Sequence, residues 1–168
     1  MSQITSTLPI TSSQTIGPFP HEGWRWAFDA GSETRPVQIA GRVFDGDGQP
    51  VSDAVLEAWL PGGAAGAALP GLPGLYRTHT ADDGSFRLSL PHHGMANEPA
   101  CYLTVFARGL LKHQFSAVFL ADDADAPLLR QVPAERRSTL VARPGEAGVH
   151  AWDLHLQGPS ETVFFDFS

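Results

Sequence analysis

Seven histidines are the first residues in this chain that could do chemistry, because imidazole is the commonest metal ligand and titrates near neutral pH. Two imidazoles on one face of a strand need the spacing H-x-H, since alternate residues share a face. His113 stands where such a pair could begin, but the second position holds Phe115. His92 and His93 are adjacent in a Pro/Gly-flanked stretch where neighbouring side chains diverge, so a solvated loop is expected rather than a ligand pair. His79, His150 and His155 fall at alternate strand positions that read as outward-facing. There is no G-x-S-x-G, phosphate loop, H-E-x-x-H or dinucleotide fingerprint, and the carboxylates lie mainly in turns such as Asp45, Asp82 and Asp122. Cys101, the only cysteine, sits in an apolar run, so it reads as a small core residue and offers neither a disulfide nor a thiolate cluster. Self-contained catalysis finds no support in these patterns.

The elements that must position these residues are short strands. From Val37 to Asp45 the period is two, with Val37, Ile39, Gly41 and Val43 on one face. Asp45-Gly46-Asp47-Gly48 then supplies turn residues, and Val51 to Leu60 resumes with Val55, Glu57 and Trp59 together, as a hairpin or its Greek-key equivalent. Tyr76 to Thr80 and Ser85 to Leu90 flank a D-D-G turn and predict a hairpin. The small-residue stretch from Pro61 to Pro70 is a connection. Cys101 to Ala107, His113 to Ala121, Val149 to Gln157 and Thr162 to Phe167 complete the strands, and Pro133 to Arg137 suits the start of a short helix. The 17 glycines and 14 prolines interrupt long helices throughout. The fold class expected is all-β, an antiparallel β-sandwich with one short helix and long loops.

At 168 residues the chain fits one domain that buries its own core. A net charge of -7 opposes binding to phosphate backbones and excludes nucleic acid as the natural partner. Charged residues are only 17%, which leaves uncharged surface for an assembly to cover. Met1 to Ser13 has neither a basic leader nor an apolar core, and no segment is apolar enough to span a bilayer, so a cytoplasmic protein is expected.

Several segments, in order along nearly the whole chain, resemble the intradiol ring-cleaving dioxygenases. They are Ser13-Gln-Thr-Ile-Gly-Pro-Phe19, Gly41-Arg-Val-Phe-Asp-Gly-Asp-Gly48 with Val55-Leu-Glu-Ala-Trp59, Phe106-Ala-Arg-Gly109, and Gly158-Pro-Ser-Glu-Thr-Val-Phe-Phe-Asp-Phe167. Iron-holding members use two tyrosines and two histidines, the latter as H-x-H. Here the matching stretch, Gly109 to Phe115, keeps His113 alone, and neither Tyr76 nor Tyr102 stands in a ligand context. The resemblance therefore implies a chain that holds no metal itself, with no catalytic residue of its own, paired with a homologous beta chain that binds ferric iron. The implied substrates are protocatechuate and O2, and the implied reaction inserts both oxygen atoms between the hydroxyl-bearing carbons to give 3-carboxy-cis,cis-muconate, in the β-ketoadipate route.

Carried over residue by residue, the resemblance makes Thr15, Gly17, Pro18 and Arg108 the substrate-binding residues of a pocket shared with the beta chain. The chemistry agrees: Gly beside Pro lets backbone approach a ligand in a fixed shape, Thr15 offers a hydroxyl, and an arginine suits a carboxylate. Residues 1–168 are then one β-sandwich domain, with 1–36 an extended N-terminal segment that contributes to partner contacts and the pocket. Trp24, Trp26, Phe28 and Trp59 divide between core and interface, and alternation in the tail sets Phe165 and Phe167 against Phe164, one set for this core and one for the partner. A stand-alone transthyretin-like β-sandwich binding module shares the G-x-V-x-D-x-x-G-x-P-V pattern and is the competing reading; the F-A-R-G and C-terminal segments tell against it.

Overall fold

The structure, a computed structural model, describes residues 20–28, 35–60, 74–91, 96–123 and 125–166. Among these residues, strands build two facing sheets. In the first, β1 (Val37–Phe44) is central, with β4 (Ser85–Leu90) on one side and β8 (Val149–Ala151) and β9 (Leu154–His155) on the other; β7 (Arg143–Pro144) lies beyond β8. In the second, the order is β3 (Leu75–His79), β2 (Val55–Trp59), β5 (Cys101–Phe106), β6 (Gln114–Val118). The period-two pattern of β1 turns Val37, Ile39 and Val43 inward, where with Phe86, Leu88 and Leu90 they meet Leu56, Ala58, Tyr76, Leu103 and Val105 of the other sheet. Each such fully buried large side chain contributes about 1.5–3 kcal/mol of transfer free energy, which is why alternation alone commits these segments to two layers. Cys101 is buried there too, and burial pushes its thiol up to about 12. A second, smaller cluster of Ala117, Phe119, Ala126, Leu129, Val132 and Leu140 lies under the segment from 119 to 142.

Four details differ from the sequence reading. The first sheet is mixed rather than wholly antiparallel, because β8 and β9 both run parallel to β1. Between them the chain closes on Gly41: a Cβ there would stand 1.8 Å from the Trp152 carbonyl oxygen, so only glycine fits. The hairpin expected over Tyr76 to Leu90 is not one, and the stretch from Val37 to Leu60, read as a hairpin or its Greek-key equivalent, takes a sheet-crossing form. The turn from Ala81 to Gly84 closes tightly, Gly84 N–H donating to Ala81 O at 2.8 Å, but β3 then belongs to the second sheet and β4 to the first. Turn chemistry reverses a chain without choosing its neighbours; here Tyr76 on one arm and Phe86 and Leu88 on the other bury their apolar faces by lying in opposite layers. The turn after β1 likewise leads across to β2 in the other sheet.

The helix expected from Pro133 is a 3-10 helix, Ala134–Leu140, accompanied by further short helical turns at Leu129–Gln131 and Glu146–Gly148. Among its described residues the tail makes a single bridge, Phe165 opposite Phe115, and Ser116 Oγ donates to Val163 O at 2.9 Å. Phe164 packs against the main core and Phe165 against the smaller cluster, so both faces of the described tail serve this chain; Phe167 lies outside the described residues. None of the described helices is long and apolar enough to cross a membrane.

Candidate functional site

Of the four residues carried into the pocket, Thr15, Gly17 and Pro18 lie outside the described residues, and Arg108 is placed. It follows β5 in the turn Ala107-Arg108-Gly109-Leu110, closed by Leu110 N–H donating to Ala107 O at 3.3 Å. Gly109 has φ +87°, a conformation that side chains rarely adopt, so glycine after the arginine is what lets the turn form. Arg108 Nε lies 2.8 Å from Asp53 Oδ2, with the arginine side chain 57% exposed and the aspartate 4%. Asp53 immediately precedes Ala54, whose N–H donates to the buried Thr80 Oγ1 at 3.0 Å while Thr80 N–H returns to Ala54 O. Val55 is opposite Phe106 in the β2–β5 register, so Asp53 and Arg108 meet where that register would next pair them.

The outer surface of the second sheet beside this pair is covered by the segment from 20 to 28. It opens as a helix, α1 (Pro20–Gly23), and continues as a 3-10 turn, Arg25–Ala27. Trp24 meets the Phe106 ring edge-on at 5.0 Å, and Phe28 tilts onto His79 at 4.5 Å. Over the indole stands the Arg77 guanidinium, 4.8 Å from the ring centroid. Arg77 in turn donates Nε–H and Nη2–H to Glu57 Oε1, the first at 2.8 Å, and both side chains are almost wholly out of water. The chain shortly after the T-x-G-P motif is thus tied to the end of β5, which leads into the Arg108 turn. Trp26 is 81% exposed and Trp59 41%, so the indoles divide between packing and surface.

His113 and Phe115 do share a face, as the spacing required. The His113 ring lies 4.8 Å from Phe115, edge to face, and 5.5 Å from Phe106. His113 and Phe115, together with Lys112, Phe164, Phe165 and Asp166, line an open cleft. Tyr76 is in the sandwich core beneath the Arg35 guanidinium. Tyr102 donates to Glu98 Oε2 at 3.3 Å, and burial and the Glu98 charge hold its phenol above the ordinary range, opposite to what a tyrosinate ligand needs. Among the described residues, no three His, Cys, Asp or Glu side chains converge as metal ligands. The described donors therefore do not fit a ferric site of two tyrosines and two histidines. Of the other histidines, His79 is exposed while His150 and His155 are half-buried, His155 stacked on Phe44 at 5.0 Å.

No family model matches the chain. A protocatechuate 3,4-dioxygenase alpha chain of Burkholderia cepacia is 38% identical over 195 residues, covering 96% of this chain and 99% of the relative. The chain belongs to the protocatechuate 3,4-dioxygenase alpha-chain family. A second alpha chain, from Pseudomonas putida, is 31% identical over 197 residues and covers 95% of this chain and 98% of the relative. Among solved structures, the dioxygenase domain of a dioxygenase carbohydrate-binding protein fusion from Streptomyces sp. SirexAA-E superposes with a TM-score of 0.55 at 19% identity, covering 88% of this chain and 98% of that one. Hydroxyquinol 1,2-dioxygenase from Pseudomonas putida DLL-E4 gives 0.51 at 20%, covering 86% and 65%. These two likenesses carry the fold, and the alpha-chain relatives carry the family. The sequence reading missed Asp53 and the Glu57–Arg77–Trp24 stack. Glu57 and Arg77 are opposite one another only once β2 and β3 are paired, a pairing the turn signals had assigned elsewhere.

Proposed function

We propose that this chain is the alpha subunit of a protocatechuate 3,4-dioxygenase, an oxidoreductase that cleaves protocatechuate with O2 to 3-carboxy-cis,cis-muconate, and that it works only with a homologous beta chain. In that assembly the beta chain holds Fe(III), which supplies activation of the bound catecholate toward oxygen. This chain contributes one wall of the pocket. Thr15, Gly17 and Pro18 offer backbone and a hydroxyl, and Arg108 pairs with the substrate's carboxylate. The observation that carries the reading is the end-to-end likeness to alpha chains. The exposed Trp26, Trp59 and Leu111 supply apolar surface for a partner, since aromatic side chains are enriched where interfaces form.

The test is to express the chain alone and together with its partner, then measure iron, visible absorbance and oxygen uptake with protocatechuate. The chain alone should be colourless and inactive, and the pair coloured and active. Stoichiometric iron and oxygen uptake by the isolated chain would overturn the division of labour, and failure of the two chains to co-purify would overturn the partnership.

A further inference from the structure

We propose that Asp53 is a positioning residue for substrate recognition: its buried charge holds the Nε side of Arg108 and leaves the guanidinium's outer edge for a carboxylate on the aromatic ring. The inference rests on the reading that Arg108 meets the substrate. A guanidinium binds a planar carboxylate best through two parallel N–H donors, and its Nη1/Nη2 edge offers such a fork while the Nε side lies against the Asp53 charge. The only ionic contact of Arg108 among the described residues is the 2.8 Å one from Nε to Asp53 Oδ2, so the far edge stays open on a side chain that is more than half exposed.

Asp53 has little choice of partner. Its carboxylate is 4% exposed, and neither oxygen accepts a hydrogen bond from the described residues. If Arg108 swung into solvent, it would leave a buried charge uncompensated, which makes the held rotamer much the favoured one. The backbone at both ends is fixed as well, by the paired Ala54–Thr80 bonds on one side and the Gly109 turn on the other. An arginine ordered before the substrate arrives spares the complex the loss of side-chain freedom on binding, and that advantage is confined to substrates carrying the carboxylate.

The experiment uses the co-purified two-chain assembly, with protocatechuate compared with catechol, which lacks the carboxylate, as substrate or as competitive inhibitor. Asp53→Asn should raise KM for protocatechuate roughly three- to tenfold, the range expected when one long side chain must be ordered on binding, with kcat within about twofold and catechol affinity unmoved. In an Arg108→Ala background the same change should add nothing. Arg108→Lys keeps a cation for Asp53 and so the fold, but cannot both hold Asp53 and present two donors; it should lose protocatechuate affinity with an unchanged melting temperature. If Arg108→Ala leaves the protocatechuate KM alone, the assignment of Arg108 itself falls. If Arg108→Ala raises it but Asp53→Asn does not, or weakens both ligands equally, Asp53 is only a clasp of the fold and the positioning role is refuted. Should Asp53→Asn fail to assemble, Arg108→Lys decides: full retention of protocatechuate affinity refutes the held fork.

Discussion

Replacing Arg77 by methionine should unfold this protein more readily than any loss of apolar contact at that position explains. Arg77 and Glu57 have side chains only 11% and 12% exposed, and Glu57 receives both of the arginine's recorded donors. Arg77→Met keeps most of the aliphatic volume on the Trp24 ring but strands the Glu57 carboxylate in a desolvated place. Breaking one side of a buried pair costs about 3–5 kcal/mol, whereas replacing both partners by apolar groups of similar volume is close to neutral. For a chain of this size each kcal/mol moves the midpoint by roughly 2–4 °C, so the single variant should melt roughly 6–20 °C below the parent. Glu57→Leu combined with Arg77→Met should return to within about 1 kcal/mol of it. Thermal and guanidinium melts followed by circular dichroism on parent, both single variants and the double give the full cycle. Equal losses in Arg77→Met and the double variant would refute the reasoning, because a stranded charge cannot be the cause if removing that charge changes nothing.

Two further outcomes follow from positions already described. Gly41→Ala should destabilise the chain by about 3 kcal/mol or more, at the upper end of overpacking costs, because the new methyl meets backbone at Trp152 that cannot give way; a melting point within a degree of the parent would refute the close approach. Cys101, whose thiol is pushed up to about 12, stays protonated at pH 8, so a thiol reagent should label it only after denaturant is added; rapid labelling of the native chain at pH 8 would contradict its burial.

The strand positions were legible because burial imposes a period of two: Val37, Ile39 and Val43 of β1 are inward, as the alternation required. Pairing was not legible. Ala81 to Gly84 carries the residues of a hairpin turn, yet nothing in a turn says whether its two arms lie in one layer or two, and that depends on which distant faces are left to cover. Parallel pairing of β8 and β9 with β1 was invisible for the same reason, since the contact spans more than half the chain. At the site, Arg108 was singled out through a family motif, whereas Asp53 went unremarked within the stretch from Val51 to Leu60. Its importance comes from being buried opposite a single cation, a property of the folded register and not of its neighbours in sequence.

The place of β1 also sets an order of events. Its flank on the side of β8 and β9 is completed by strands that begin roughly a hundred residues later, and at synthesis rates of roughly 5–20 residues per second those strands emerge several seconds after β1 does. For that interval one side of β1 presents unpaired backbone groups next to apolar side chains, the kind of edge that recruits other chains. Gly41 is what allows that side to be closed later: with no side chain at the centre of β1, the Trp152 backbone can come into direct contact there once its segment has been made.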